Sequence, residues 1–302
     1  MKTKQPLVSV IMNCYNGEEF LRKAIESIYA QTYENWEIVF LDNSSTDQSA
    51  DIALSYDKKL RYFKSGTTEP LPLYKAKSLA VEKANGDYLA FLDCDDWWNP
   101  CKLEKQVPLF DNPLVGFIFG PYWLENETKG TRKIISQKIN SSNGNILDDL
   151  LKNYTIGLLT LMVRSSAYNQ LERGFNSRFS VMGDFDLVLR LAAYWESDFV
   201  DEPIAHYRWH GDNFSINNPQ KSVDELEDWY QLICKHNIIS KSKELYNIPI
   251  IIDYVRGMYS MRNNMKRKGL KFLAKIPLFR KERVKLIVAF LLPKFVLKAL
   301  TG

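Results

Sequence analysis

Cysteine is scarce in this 302-residue sequence: there are four, Cys14, Cys94, Cys101 and Cys234, and no two form a C-x-x-C pair. That spacing argues against a zinc site or a disulfide framework. Isolated thiols point instead to a reducing, cytoplasmic setting. Long apolar runs are also missing. The run Leu7 to Met12 is too short for a signal-peptide core with a cleavage site, and far too short to span a bilayer. Glycine-rich loops are absent. The stretch Asn13 to Glu19 after the first expected strand has one glycine and no arginine, and no G-x-G-x-x-G occurs. The first absence disfavours a sugar-phosphate nucleotidyltransferase and the second a nicotinamide dehydrogenase. There is no internal repeat and no disordered or low-complexity segment.

What is present is ordinary for a globular protein: 45% apolar and 25% charged residues. The length suits one large or two small domains with a sizeable core. The net charge of +4 hides an asymmetry. Residues 254–302 hold 13 Lys or Arg against one acid, Glu282, so this tail is about +12 and the rest about −8. A basic tail on an acidic body suggests an anionic partner. Sign alone does not choose between nucleic acid and lipid.

Hydrophobic periodicity gives the element order. Leu7–Met12 reads as a buried strand, and Glu18–Gln31 as a helix with Phe20, Ala24, Ile25 and Ile28 on one face. A second strand, Trp36–Leu41, leads through Asp42–Asp47 to a helix over Gln48–Tyr56. Leu60–Phe63 is a short strand, Tyr74–Ala84 a helix and Tyr88–Leu92 a strand. Strand and helix alternate, which predicts an α/β fold with a mostly parallel sheet flanked by helices. Ligands in such sheets bind beyond the carboxyl ends of the strands. Asn13, Asp42 and Asp93 end three of these strands and should share one crevice. Further on, Trp97–Phe110 is expected as a helix, Val115–Trp123 as a strand, Ile146–Asn153 as a helix, Thr160–Arg164 as a strand and Asp184–Trp195 as a helix. From Ser222 the pattern is helical, with a boundary near Asn217-Asn218-Pro219.

Asp93, Asp95 and Asp96 crowd three acids at the end of an apolar strand. Such carboxylates repel one another, and a hard cation such as Mg²⁺ or Mn²⁺ makes them tolerable. A dication there would bridge a donor's two phosphates and stabilise the leaving diphosphate. The plain alternative is a helix N-terminus, where acids meet the dipole. Asp42 is equally open: it suits a ribose hydroxyl or base edge, or an Asx turn or helix cap.

Three segments in order carry a resemblance. Val8 to Asn16, Leu41 to Asp47 and Gly86 to Asp96, continued by Lys102-Leu103-Glu104-Lys105-Gln106, resemble the family 2 glycosyltransferases, densely over the first 110 residues and thinly as far as Ser215. The resemblance implies the GT-A fold and an inverting transfer from a nucleotide-diphosphate sugar, often a UDP-sugar, with Mg²⁺ or Mn²⁺ as cofactor. It implies residues 1–217 as the transferase domain, with a nucleotide-sugar half (1–110) and an acceptor half (111–217), and 218–302 as a basic helical extension. Asp42 would meet the base or ribose. Asp93 would lie at the ribose or near the metal. Asp95 would be the direct metal ligand, with Asp96 as a supporting neighbour. Asn13 and Tyr15 would join the donor site.

Met182-Gly183-Asp184-Phe185-Asp186-Leu187 is similar to the family's catalytic-base segment, with Asp184 as the base and Gly183 where an acid often lies. Asp184 also fits a helix N-cap, and Asp186 reads as structural. In His206–Ser215, which looks like a later family element, Arg208 would neutralise phosphate and His210 would ligate the metal or reach the pyrophosphate. Lys77 stands where the family often has an arginine, keeping the cation as a point charge. Asp42-Asn43 replaces the commoner acid pair. The expected partners are a nucleotide-sugar donor and a glycan or lipid-linked acceptor in cell-surface polysaccharide assembly, and no nucleic acid. A non-catalytic sugar-nucleotide-binding scaffold is the alternative. In the tail, Val284–Leu292 is apolar apart from Lys285, is interrupted by Pro293, and is followed by Lys294 and Lys298. An interfacial segment on the inner face of the cell membrane is expected there, or else a helical pair with a solvated basic face.

Overall fold

The computed structural model describes residues 5–139, 144–210, 213 and 218–292. Asn217, Ser215, Pro293, Lys294 and Lys298, named above, lie outside the described residues. The chain divides into two compact units, Met1–Gly211 and Asp212–Gly302.

In the first unit, β1 (Val8–Cys14) and β2 (Trp36–Asp42) are buried at every residue. Strands covered on both faces are expected to read as continuous apolar runs. Helix α1 (Glu18–Tyr29) follows β1 and buries Leu21, Ala24, Ile25 and Ile28, spaced to form one stripe. Helices α2 (Ser49–Leu54) and α3 (Leu73–Val81) precede β3 (Leu60–Lys64) and β4 (Tyr88–Phe91) respectively. β1 pairs in parallel with β2 and β4, and β2 with β3. The register sets Cys14 opposite Asp42 and Ile11 opposite Phe91. Continued by two residues, it brings Asn13 level with Asp93. The three strand ends therefore open at one edge.

The middle of the chain departs from the periodicity. Trp97–Phe110, expected as one helix, is a two-residue strand β5 (Trp97–Trp98), a short helix α4 (Lys102–Gln106) and a 3-10 turn (Val107–Asp111). Pro100 bars the helix from starting earlier, and the Trp98 indole N–H is drawn to the Leu159 carbonyl at 2.7 Å. Val115–Trp123, expected as one strand, is cut at Gly120-Pro121 into β6 (Val115–Phe119) and β7 (Tyr122–Asn126). Proline lacks the N–H that a continuing ladder needs.

After β8 (Thr131–Ile135) come α5 (Leu147–Lys152), β9 (Met162–Arg164), α6 (Ser165–Gln170), α7 (Gly183–Ala192), β10 (Glu196–Phe199) and β11 (Ala205–Trp209). The large sheet has the order β10-β6-β9-β4-β1-β2-β3, and a smaller one the order β5-β11-β7-β8. The large sheet is parallel except at β9, which runs antiparallel to both β4 and β6. Residues 160–164, expected as one strand, supply only three to it, since Leu158–Thr160 is a 3-10 turn.

The second unit is helical: α8 (Pro219–Ile233), α9 (Asn247–Arg262), α10 (Lys266–Lys275) and α11 (Lys281–Leu291). α9 packs against the other three. Gly257 permits one close approach, since a Cβ there would lie 2.6 Å from Leu286 Cδ2. Among the described residues no helix is long and apolar enough to cross a membrane.

Candidate active site

The carboxyl ends of β1, β2 and β4 put polar side chains where the core stops. Asn13 is buried, and its Oδ1 has no hydrogen-bond partner among the described residues. A buried orphan acceptor is costly, and this one stands at the edge where a ligand would supply a donor. Tyr15, one residue beyond Cys14, is exposed. Asp42 is buried; its Oδ1 accepts from the Ser45 N–H at 2.9 Å and its Oδ2 from the Tyr62 hydroxyl at 2.6 Å. The structure thus gives Asp42 a local role, capping the N–H three residues on. Two of the carboxylate's roughly four acceptor positions remain.

The three acids after β4 have three different environments. Asp93 is half-exposed and ion-pairs with the fully buried Lys77 of α3. Asp95 lies 3.2 Å from His210 Nε2. Burial, and then the charge of Asp93, raise its carboxyl above the usual range. Asp96 is buried and accepts the Arg208 backbone N–H at 2.9 Å. Burial, and then Asp95 and Asp93, push it well up. Beneath them the thiols of Cys14 and Cys94 meet at Gly17, where a Cβ would come within 2.8 Å of both sulfurs.

Arg208 locks this loop to β11. Its Nε donates to the Asp95 carbonyl at 2.8 Å, its guanidinium pairs with Glu127, and it lies over the rings of Phe20 at 4.5 Å and Trp97 at 4.8 Å. A phosphate contact, as the sequence suggests, would have to compete with Glu127. His210 packs on Phe20 with ring centroids 5.1 Å apart.

Asp184 is the second residue of α7, whose N-cap is Met182, and is enclosed by neighbouring side chains, with part of its surface still open. The buried Tyr74 hydroxyl donates to its Oδ1 at 3.0 Å. Burial raises the carboxyl, and the Phe185 N–H and the Tyr74 hydroxyl oppose this. Gly183 has a steric cause: a Cβ there would lie 2.3 Å from Tyr74 Cδ2, so the ring fills the space of a side chain. Asp186 is structural, as expected; it receives Arg190 Nε at 2.9 Å, and Arg190 in turn donates to the Gly174 carbonyl at 2.6 Å. Tyr154 has a buried hydroxyl with no partner among the described residues, and its ring meets Phe185 edge-on at 5.0 Å.

Helix α3 joins the two acid centres. Tyr74 and Lys77 sit three residues apart on one face; the first holds Asp184 and the second Asp93. The sequence singles out Lys77, as a donor-binding cation, and the structure buries it against Asp93; Tyr74, Tyr62 and Glu127 are not singled out. The i, i+3 spacing of Tyr74 and Lys77 was the available signal for the first. No group of three or more His, Cys, Asp or Glu stands close enough to hold a metal ion among the described residues. Mg²⁺ and Mn²⁺ do not require one: one or two carboxylates plus substrate phosphates are a common ligand set. Asp95, with its raised carboxyl, and the second oxygen of Asp93 fit that set.

The chain matches the family described as Glycosyl transferase family 2 over residues 9–169. It is 33% identical over 177 residues to TuaG of Bacillus subtilis, named for teichuronic acid biosynthesis, covering 57% of this chain and 68% of TuaG. It is 32% identical over 165 residues to WfgD of Escherichia coli, a UDP-Glc:α-D-GlcNAc-diphosphoundecaprenol β-1,3-glucosyltransferase, covering 54% of this chain and 62% of WfgD. EpsE of Bacillus subtilis, named as a glycosyltransferase, is 30% identical over 281 residues, covering 87% of this chain and 94% of EpsE. Among solved structures, S. aureus TarS 1–349 in complex with UDP-GlcNAc superposes with a TM-score of 0.63 at 17% identity, covering 94% of this chain and 80% of that one. The mannosyltransferase PcManGT of Pyrobaculum calidifontis, in complex with GDP-Man and Mn²⁺, gives 0.63 at 14% identity, covering 97% and 88%. The fold is GT-A. The strand-end acids, the order of the motifs and the sequence match agree, and the chain belongs to glycosyltransferase family 2.

Proposed function

We propose that the protein is an inverting glycosyltransferase. It moves a sugar from a nucleotide-diphosphate donor, a UDP-sugar by preference, to a glycan or lipid-linked acceptor in cell-surface polysaccharide assembly. The observation that carries this reading is α3, which holds Asp184 through Tyr74 and Asp93 through Lys77. Three helical residues, a rise of about 4.5 Å, separate the two attachments. A sugar ring seated there has a carboxylate base on one side and the diphosphate site on the other.

Residues 1–110 then form the donor half and 111–217 the acceptor half, with 218–302 as a basic extension. Asp42 and Asn13 receive the nucleoside, Asn13 through its orphan Oδ1, and Tyr15 covers it from the exposed side. Asp184 takes the proton from the acceptor hydroxyl as that oxygen attacks the anomeric carbon. The bond to the diphosphate oxygen breaks with its electron pair, and displacement from the opposite face inverts the centre. A raised carboxyl suits this task, because a base poised nearer the working pH carries the proton better. Asp95 and Asp93, with His210 alongside, would hold Mg²⁺ or Mn²⁺, which would supply charge neutralisation to the leaving diphosphate. Lys77 holds Asp93 in place through their ion pair. Arg208 sets the Asp95 backbone and reaches phosphate only by leaving Glu127.

UDP-GlcNAc and GDP-Man in the neighbouring structures, and the diphosphoundecaprenol acceptor in the name of WfgD, support the donor and acceptor classes. A lipid-linked acceptor places the work on the inner face of the cell membrane, with the basic tail as a peripheral contact. The test is a donor screen with Mn²⁺ or Mg²⁺, reading nucleotide diphosphate release. Asp184→Asn is expected to lose transfer and keep donor binding. Full transfer by that variant would remove the base assignment, and full metal-dependent turnover by Asp95→Ala would remove the metal assignment.

A further inference from the structure

Helix α11 is apolar on two sides, one buried and the other exposed among the described residues. It packs inward through Glu282, Leu286 and Ala289. Its outward side is not polar: Val284, Ile287, Val288 and Leu291 are 57%, 42%, 49% and 72% exposed. At 100° per residue these four fall in an arc of about 100°, a continuous aliphatic stripe. The turn before the helix adds Leu278 at 69% and Phe279 at 100%. Scattered apolar residues on a surface are normal, whereas a contiguous set marks an interaction site.

The exposed charges of α10 and α11 are of one sign. Lys281 and Lys285 are exposed along one flank. On α10, Arg267, Lys268 and Lys271 are exposed as well. Lys266 donates to the Phe290 carbonyl at 3.1 Å, which ties α10 to α11. Glu282, the one acid in residues 254–302, is buried and pairs with Arg280 at 3.2 Å.

We propose that the stripe of α11 and the Leu278-Phe279 tip form a docking surface for an anionic phospholipid bilayer. The aliphatic groups enter the interface and Lys281, Lys285 and the α10 cations meet the headgroups. Two weak signals, a shallow apolar insertion and a polybasic patch, together make a stable peripheral anchor. A second copy of the chain on this face would set like charge against like. Nucleic acid would satisfy the cations and leave the aliphatic stripe in water, because strand recognition uses aromatic platforms. The proposal rests on the peripheral-contact reading above and is independent of the transfer chemistry.

Sedimentation of the full chain with vesicles tests it, comparing equimolar phosphatidylcholine and phosphatidylglycerol with phosphatidylcholine alone. The wild type is expected to bind the anionic vesicles roughly tenfold more tightly or better. The Ile287→Glu/Leu291→Glu double variant and Phe279→Ser are each expected to weaken that binding by roughly tenfold. Both should keep wild-type far-UV circular dichroism and wild-type nucleotide release with a soluble acceptor. Variants that bind like the wild type would overturn the stripe while leaving a purely electrostatic contact standing. A wild type that binds neither vesicle would overturn both. Loss of self-association in the variants, with vesicle binding unchanged, would assign the face to a second copy and overturn the proposal.

Discussion

Replacing Tyr74 with phenylalanine removes one oxygen and leaves the ring where it packs against Phe175, with centroids 5.2 Å apart. What is lost is the hydrogen bond to Asp184 Oδ1 at 3.0 Å. A hydrogen bond to an ionised group contributes about 1.5–3 kcal/mol. Asp184 keeps part of its surface open to water, so the lower end applies, about 1.5 kcal/mol or roughly tenfold. The bond favours the ionised carboxylate, and without it Asp184 needs a higher pH to lose its proton. For Tyr74→Phe, kcat/KM is therefore expected to fall roughly tenfold on the acid limb of the pH profile and to approach the wild type on the alkaline side. Donor affinity, read by titration with the nucleotide sugar, should not change. Superimposable acid limbs would refute the coupling between Tyr74 and the base. A loss that is uniform across pH would mean that Tyr74 positions the site without tuning it.

Gly183→Ala places a Cβ 2.3 Å from Tyr74 Cδ2. The ring must move, so this variant is expected to reproduce the acid-limb loss of Tyr74→Phe and to cost about 1–3 kcal/mol of stability by overpacking; a wild-type pH profile with a wild-type melting temperature would refute that. Asp96 gives a stability prediction with a definite sign. Its carboxyl is raised above the ordinary unfolded value, so between the two values the folded state holds a proton that the unfolded state has released, and its contribution falls as pH rises. Asp96→Asn keeps an acceptor for the Arg208 N–H and removes the charge. It should melt above the wild type at pH 7, with the gap closing toward pH 4. A wild type that melts higher at pH 7 would contradict the sign.

The first 92 residues were legible because each element there obeys one rule. β1 and β2 are buried on both faces, so their sequences are unbroken apolar runs, and α1 shows its stripe at the right spacing. The convergence of Asn13, Asp42 and Asp93 followed from parallel order alone. The middle was less legible because tertiary partners override local pattern there. Trp97-Trp98 lies in an apolar stretch that suits a helix, yet it pairs with Ala205 and His206 from more than a hundred residues away. The reversal at β9 leaves no local mark, since a three-residue strand reads the same in either direction. In the site, the acids were visible by type and position, but their partners were not. Glu127 and Tyr62 lie in segments whose sequence has no motif, and only the fold brings them to Arg208 and Asp42. The departure at Gly183 was noticed, but its cause, the ring of Tyr74, lies in another segment.

That contact between Gly183 and Tyr74 has an evolutionary reading. The two positions share one volume: an aromatic ring at 74 is possible because 183 carries no side chain, and an acid at 183 would evict the ring. Neither can change in size first without a clash or a void, so the pair should vary together among relatives, glycine with an aromatic ring and an acid with something smaller. Where an acid stands at 183, the base has lost its phenol and has a second carboxylate beside it. Exchanging the pair as a unit would then change the pH at which the enzyme works while leaving its sheet and donor site intact.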